Sequence, residues 1–276
     1  MLLFLQIIIY SISHCESELR IYGGRDALRD EYPYVVRLEE QTDLYEDGKM
    51  ETRFWPCCTG AALTPSWILS AAHCSVEEYY KKNAKTKLIA RFNSYLPKYG
   101  GSIKPIFEVK IHPMYYYHEL DAFEQLDFIL KNDICLFRSE GILVNHYGKL
   151  SPLDYTSLMG HEAHTLGYGL TNATASQKPL QVLKGMIHNC LNEDQKLAYM
   201  LCLAPRCGVQ TTICGGDSGG PIVHASGIVG VNSNSIGDCN EHSTSLDVSA
   251  GTAASVFATV SSNIDWISNI IANKSN

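Results

Sequence analysis

The sequence of 276 residues has no block of basic side chains and no excess of positive charge. It contains 22 Lys and Arg against 29 Asp and Glu, which gives a formal net charge of −7. Nucleic acids and anionic membrane surfaces select concentrated basic patches, so neither is expected as a partner. The sequence also lacks internal repeats and low-complexity linkers. Its hydrophobic content of 45% is sufficient for a sizeable core in one or two domains.

Long apolar runs are missing as well. Residues 2–12 form an apolar stretch that is too short to span a bilayer, and small residues lie at positions 11 and 13. This pattern predicts a secretory signal peptide over residues 1–15, although basic residues are missing from its start. No later segment is apolar and long enough for a membrane helix. We therefore expect a secreted, extracellular protein.

Short apolar runs separated by Gly, Pro, Asn and Asp clusters dominate the rest of the chain. They are residues 34–38, 67–69, 87–90, 107–111, 134–137, 222–223 and 227–231. This pattern predicts an all-β fold with a many-stranded barrel. At the C-terminus, Ser262 and Asn263 can cap a helix. One face of that helix would carry Ile264, Ile267, Ile270 and Ile271.

The run Cys-Gly-Gly-Asp-Ser-Gly-Gly-Pro at residues 214–221 surrounds one hydroxyl with glycines. Glycine allows backbone conformations that other residues avoid, so Ser218 can lie on a tight turn. The amides of Gly216 and Ser218 can then point to one place, as an oxyanion hole requires. A Gly-rich surface turn is the alternative interpretation of this run taken alone.

Two further stretches supply what a serine nucleophile needs, namely a base and a carboxylate that orients it. Ser-Ala-Ala-His-Cys at residues 70–74 follows an apolar run and contains His73. Asn-Asp-Ile-Cys-Leu-Phe at residues 132–137 places Asp133 at the start of an apolar run, where it can be buried. A single histidine or aspartate of this kind is more often structural, so the assignment depends on their occurring together with Ser218.

The three stretches, in the order His, Asp, Ser, resemble the chymotrypsin/trypsin-like serine peptidases over nearly all of residues 21–276. The resemblance implies a serine endopeptidase in which His73 is the general base, Asp133 orients it and Ser218 attacks the scissile carbonyl. The substrates would be proteins or peptides.

The resemblance also implies an architecture. It is two packed six-stranded antiparallel β-barrels, about residues 21–150 and 151–276, with a short C-terminal α-helix. Residues 115–130 would form a loop that overhangs the cleft. No cofactor is implied. A metal is not expected, because the calcium loop of some relatives needs paired acidic residues and residues 91–95 lack them.

The segment before the peptidase domain resembles the activation junction of these enzymes. Residues 16–20 end at Arg20, and Ile21 is followed by Tyr-Gly-Gly. The resemblance implies that an activating protease cuts after Arg20 and that the new ammonium group of Ile21 pairs with buried Asp217. Without that partner, the oxyanion turn is expected to stay disordered. An ordinary linker arginine at position 20 is the alternative.

Ten cysteines agree with secretion. The resemblance implies three disulfides, which are Cys58–Cys74, Cys190–Cys202 and Cys214–Cys239. Of the remaining cysteines, Cys15 lies at the signal junction and Cys135 is expected to be a buried free thiol. The pairing of Cys57 with Cys207 stays open.

The specificity pocket departs from the trypsin pattern. Thr212 occupies the position where trypsins carry an aspartate that captures Lys or Arg. Asn232 and Ser255 match wall positions that are often glycine, which predicts a narrower pocket. Residues 230–232 take the place of a common Ser-Trp-Gly segment, so a hydroxyl that usually contacts the triad aspartate is expected to be missing.

A competing hypothesis is a catalytically weak homologue of these peptidases that acts by binding or regulation. Such homologues usually lose the histidine or the serine, and both are present here together with Gly216. The enzyme is therefore favoured. A monomer is expected, with protein protease inhibitors as possible partners. Acceptor motifs for N-linked glycans begin at Asn172 and Asn273.

Overall fold

The structure is a computed structural model. It describes residues 24–46, 48–75, 86–96, 100–119, 128–169, 179–190, 200–205, 212–234 and 255–273. These residues form sixteen strands, which are β1 Arg25–Asp26, β2 Val35–Glu46, β3 Lys49–Ala62, β4 Trp67–Ser70, β5 Thr86–Phe92, β6 Ser102–Pro105, β7 Glu108–Ile111, β8 Tyr116–Glu119, β9 Phe128–Lys131, β10 Cys135–Arg138, β11 Glu162–Gly167, β12 Gln181–His188, β13 Met200–Pro205, β14 Pro221–His224, β15 Gly227–Asn234 and β16 Ser255–Thr259.

The first half of the chain forms an antiparallel sheet in the order β6-β5-β2-β3-β4-β10-β7. Its core contains fully buried apolar residues such as Leu38, Ile68 and Leu136. Among the described strands, no pairing joins β6 to β7, so this sheet is a half-barrel. The predicted strands are present, and the sheet they form is more open than a closed barrel.

The second half of the chain forms a closed barrel. Six strands follow the order β12-β11-β14-β15-β16-β13, and pairing between β12 and β13 closes the ring. Strand β1 lies outside this ring and pairs with β12. This confirms the prediction of an all-β fold with antiparallel barrels. The proposed boundary near Leu150 stays a prediction, and Leu150 itself forms an isolated bridge with Ile228.

Two hairpins were not foreseen from the sequence. Strands β2 and β3 pair continuously from Val35–Ala61 to Glu46–Lys49, with a bulge after Leu38. Strands β8 and β9 pair within the segment that was expected to be a loop over residues 115–130. That expectation is wrong for the two ends of the segment, while residues 120–127 lie outside the described residues.

The C-terminal helix, α1, spans Ile264–Ala272. The predicted apolar face is correct, because Ile267 is fully buried and Ile270 and Ile271 pack against the core of the first sheet. The predicted cap is confirmed in position only, since Asn263 is the N-cap residue of the helix. Asn263 makes no side-chain cap hydrogen bond, and its amide instead donates to the Thr259 carbonyl at 2.7 Å. No helix in the described part of the chain has the length and apolarity of a membrane span.

Candidate active site

Antiparallel pairing of β4 with β10 brings His73 and Asp133 together. Cys135 lies opposite Ser70, so the end of β4 and the beginning of β10 meet at the same edge of the sheet. The chain turns into a 3₁₀ helix, Ala72–Ser75, directly after β4, and this turn carries His73. Asp133 lies two residues before β10.

The Asp133 carboxylate is fully buried and uses both oxygens on His73. Oδ2 lies 2.7 Å from His73 Nδ1, and Oδ1 accepts the His73 backbone N–H at 2.9 Å. This geometry fixes the imidazole with Nε2 available for proton transfer. Burial lowers the pKa of His73, but the charge of Asp133 and the hydrogen bond to it outweigh burial and raise the pKa above its ordinary value.

A third donor reaches Asp133 from the second barrel. Ser233 Oγ on β15 donates to Asp133 Oδ2 at 2.5 Å. The expectation that no hydroxyl contacts the triad aspartate is therefore wrong. Residues 230–232 are not the segment that approaches Asp133, because the hydroxyl comes from the next residue along β15.

The glycine-rich turn holds Ser218 beside the first sheet. Gly216 and Gly219 have φ angles of 96° and 78°, which favour glycine. A Cβ atom at Gly219 would overlap Ser70 Oγ and the Thr59 carbonyl. The Ser218 carbonyl accepts the Thr59 N–H at 2.8 Å, which fixes the turn against β3.

Two amides of this turn have no acceptor within the described part of the chain. They are the N–H groups of Gly216 and Ser218, whereas the N–H groups of Asp217, Gly219 and Gly220 each donate to a backbone carbonyl. Ser218 is partly exposed. No hydrogen bond joins Ser218 Oγ to His73 among the described residues. The His73 imidazole is therefore bonded to the Asp133 carboxylate but not to the Ser218 hydroxyl.

Asp217 is fully buried behind this turn. Its carboxylate accepts the Cys214 N–H at 2.8 Å and the Gly169 N–H at 2.7 Å. Burial raises the pKa of Asp217 to about 6, and these two bonds partly oppose that effect. A Cβ at Gly167 or Gly169 would overlap the carboxylate. No cation pairs with it in the described ranges, and Arg20 and Ile21 lie outside them.

Two of the three expected disulfides are confirmed. Cys58–Cys74 links β3 to the turn that carries His73, and Cys190–Cys202 joins the end of the β12 segment to β13. Cys214 is disulfide-bonded, and its expected partner Cys239 lies outside the described residues.

Two cysteines are free thiols in the part of the chain that the structure describes. Cys135 is buried, as predicted, and donates to the Ala71 carbonyl at 3.0 Å. Cys57 donates to the Leu38 carbonyl at 3.2 Å. The pairing of Cys57 with Cys207 that the sequence left open is therefore not formed.

The disulfide beside His73 gives a stability prediction. Replacing both Cys58 and Cys74 with alanine should lower the free energy of unfolding by about 3 kcal/mol, because the unfolded chain regains the entropy of a closed loop. Urea unfolding would measure it, with Cys57→Ala as the neighbouring control that should cost less than half as much. Peptide mapping that links Cys58 to any other cysteine would contradict the assignment.

The three candidate pocket residues are all buried. Thr212 donates to the Ile213 carbonyl at 3.2 Å. Asn232 and Ser255 are fully buried and interlock, since Ser255 Oγ donates to Asn232 Oδ1 at 2.8 Å. The Asn232 amide also donates to Thr165 Oγ1 at 2.6 Å. Asn232 and Ser255, together with Thr165, therefore satisfy one another inside the closed barrel, whereas Thr212 is bonded to the neighbouring backbone.

Comparison with known proteins places this arrangement in a family. A sequence model of the family described as Trypsin matches residues 21–267. The chain is 28% identical to human Kallikrein-2 over 224 residues, which cover 78% of each chain. It is 29% identical to chicken Trypsin I-P1 over 234 residues, or 80% of this chain and 81% of the relative. Dog Serine protease 1 is 26% identical over 221 residues, 77% of this chain and 78% of the relative. The match over most of the chain and the antiparallel barrel architecture together show that the chain belongs to the trypsin family of serine peptidases.

Proposed function

We propose that the protein is a secreted serine endopeptidase that acts through His73, Asp133 and Ser218. The observation that carries the proposal is the pair of N–H groups of Gly216 and Ser218, which have no acceptor among the described residues, next to a hydroxyl and near a histidine held by a buried carboxylate. Most backbone donors in a folded protein are paired, so two neighbouring N–H groups left without an acceptor form a candidate binding site. A developing oxyanion is the ligand that fits them.

The chemistry follows from these positions. Ser218 Oγ attacks the scissile carbonyl carbon and gives its proton to His73 Nε2, while the carbonyl oxygen becomes an oxyanion held by the two amides. Collapse breaks the C–N bond, and His73 returns the proton to the leaving amine. Water then attacks the acyl carbon and gives a proton to His73, and His73 returns it to Ser218 Oγ as the bond from Oγ to the acyl carbon breaks and the carboxylic acid leaves. Buried Asp133 stabilises the imidazolium in both steps.

A catalytically weak homologue is the alternative, and the missing bond between Ser218 Oγ and His73 favours it. Catalytic hydrogen bonds are often loose without substrate, so this geometry does not exclude the enzyme. Cleavage after Arg20 followed by a fluorophosphonate probe separates the two functions. Labelling at Ser218, mapped by peptide mass spectrometry, supports the enzyme. Absence of labelling in cleaved, folded protein supports the homologue.

The proposed precursor consists of a signal peptide at residues 1–15 and an activation peptide at residues 16–20, ahead of the peptidase domain. Buried Asp217, which lacks a cation among the described residues, supports this order of events. Cleavage would supply the Ile21 ammonium that the carboxylate needs. Active protein should therefore begin at Ile21 on N-terminal sequencing.

The proposed substrates are proteins or peptides with a small or medium neutral residue before the scissile bond. Thr212, proposed at the base of the pocket, offers no charge to a buried Lys or Arg, which would lose its hydration without gaining a counter-ion. Asn232 and Ser255 also carry no charge, and because both are fully buried and bonded to each other they offer a substrate no polar group. We expect kcat/KM for such neutral residues to exceed that for Arg by about 100-fold, equivalent to roughly 3 kcal/mol.

A peptide library measured with the cleaved enzyme tests this preference. Dominant cleavage after Leu or Phe would indicate a wider, chymotrypsin-like pocket. Dominant cleavage after Arg or Lys would contradict the proposal and would direct attention to Asp238 and Asp247, both outside the described residues.

Of the proposed glycan sites, Asn273 is exposed after α1, and Asn172 lies outside the described residues.

A further inference from the structure

Thr59 lies fully buried on β3, where it contacts the same turn that carries Ser218. Its hydroxyl donates to the Gly216 carbonyl at 2.8 Å. The same hydroxyl accepts the Tyr168 N–H at 3.0 Å. One hydroxyl proton and one lone pair are therefore used, and no part of this side chain is exposed to solvent.

The backbone of Thr59 contacts the turn as well. Its N–H donates to the Ser218 carbonyl at 2.8 Å, so Thr59 binds the carbonyls of both Gly216 and Ser218. These are the two residues whose N–H groups have no acceptor within the described part of the chain. Along the turn, the carbonyls that Thr59 binds therefore alternate with N–H groups that have no acceptor among the described residues.

The Gly216 N–H belongs to the peptide between Gly215 and Gly216, whereas the carbonyls that Thr59 binds belong to the peptides after Gly216 and after Ser218. The first of these peptides has glycine on both sides, and Gly215 is exposed with no atom within 4 Å of the place where a Cβ would lie. Such a peptide can rotate at low cost. The next peptide is fixed at both ends, because its carbonyl binds Thr59 Oγ1 and its Asp217 N–H donates to the Cys214 carbonyl at 3.0 Å.

The second bond of the hydroxyl reaches the segment that holds Asp217. Tyr168 lies between Gly167 and Gly169, the two glycines whose missing side chains make room for the Asp217 carboxylate. Thr59 thus connects the oxyanion turn, the Asp217 pocket and, through neighbouring Cys58, the disulfide beside His73.

We infer that Thr59 is a positioning residue whose hydroxyl fixes the Gly216–Asp217 peptide and, through it, the orientation in which the adjoining Gly216 N–H binds an oxyanion. The inference rests on the proposed function. It predicts that the hydroxyl acts on the transition state rather than on substrate binding, because it touches neither the substrate nor the reacting atoms.

The test uses the full chain cleaved after Arg20 and a peptide substrate cleaved by the wild type. Thr59→Val keeps the shape and removes the hydroxyl, and it should lower kcat by about 10- to 100-fold with KM changed less than about twofold. Affinity for a peptide aldehyde, whose adduct with Ser218 carries an oxyanion, should fall in parallel. Thr59→Ser keeps the hydroxyl and should restore most of kcat.

Thr259→Val is the matched control. Thr259 is also fully buried and its hydroxyl is bonded, to Ser262 Oγ at 2.6 Å, but it lies at the end of β16. Its loss should lower stability without lowering kcat. If Thr59→Val does not fold, Thr59→Gly removes the hydroxyl without placing a methyl group against the Gly216 carbonyl.

The outcomes separate this inference from the proposed function. A folded Thr59 variant without the hydroxyl that keeps the wild-type kcat and aldehyde affinity overturns the inference alone. An equal loss of kcat in Thr259→Val also overturns it, because the effect would then be one of stability. A wild type that neither hydrolyses peptides nor reacts with fluorophosphonate overturns the proposed function and this inference with it.

Discussion

Replacing Ser218 with alanine is expected to lower kcat by about 10⁴- to 10⁶-fold while the fold is kept. The change removes the only atom that would form the acyl-enzyme bond, and it removes no apolar contact. The turn is fixed by backbone bonds, from Thr59 N–H to the Ser218 carbonyl and from Gly219 N–H to the Asn232 carbonyl, which alanine retains. Hydrolysis of a peptide substrate and thermal unfolding would be measured on the same preparation.

Ser94→Ala is the control for this variant. Ser94 is also partly exposed but lies on the turn after β5, so its hydroxyl should be dispensable. Full hydrolysis by Ser218→Ala would show that another group is the nucleophile. Loss of activity in both variants would point instead to a general effect on folding.

Arg20→Gln is expected to keep the protein latent, with activity at least about 100-fold below that of cleaved wild type. Without cleavage no ammonium forms at Ile21, and a buried carboxylate without its partner costs about 3 to 5 kcal/mol. Asp217→Asn should be equally inactive after cleavage. The N–H groups of Cys214 and Gly169 bind different oxygens of the carboxylate, and asparagine would replace one of these oxygens with an NH₂ group that cannot accept a hydrogen bond.

Asp265→Asn provides the comparison, because Asp265 is exposed on the first turn of α1 and should tolerate the change. Activity would be measured before and after treatment with a protease that cleaves after arginine, together with N-terminal sequencing. Full activity in intact Arg20→Gln, with residues 16–20 still attached, would show that the chain needs no activation.

The sequence was informative where a functional residue adjoins a strong local pattern. His73 lies three residues after apolar β4 and Asp133 two residues before apolar β10, so a prediction of the strands also locates both side chains. Ser233 escaped prediction because β15 is irregular. Asn232 pairs with Phe257 and Asn234 with Val256, and the extra residue between them is Ser233. No pattern in the neighbouring sequence predicts such a bulge.

Thr59 illustrates a second limit. Its hydroxyl partners lie 157 and 109 residues away in sequence, and a threonine in a strand is ordinary. Only the packing of the two sheets shows that this hydroxyl reaches the oxyanion turn. The contact between Asn232 and Ser255 escaped prediction for the same reason, because pairing of β15 with β16 and not a sequence motif brings them together.

The Asp133 carboxylate receives donors from both halves of the chain, His73 from the first and Ser233 from the second. Any motion that separates the two sheets therefore breaks a bond to a carboxylate with no exposed surface and lets water reach it. Opening of the interface would therefore remove Ser233 from Asp133, whereas both bonds from His73 to Asp133 lie within the first sheet and would persist. The His73 amide should then stay protected from deuterium exchange until the first sheet itself opens, so its protection factor would separate local opening between the halves from unfolding of the first half.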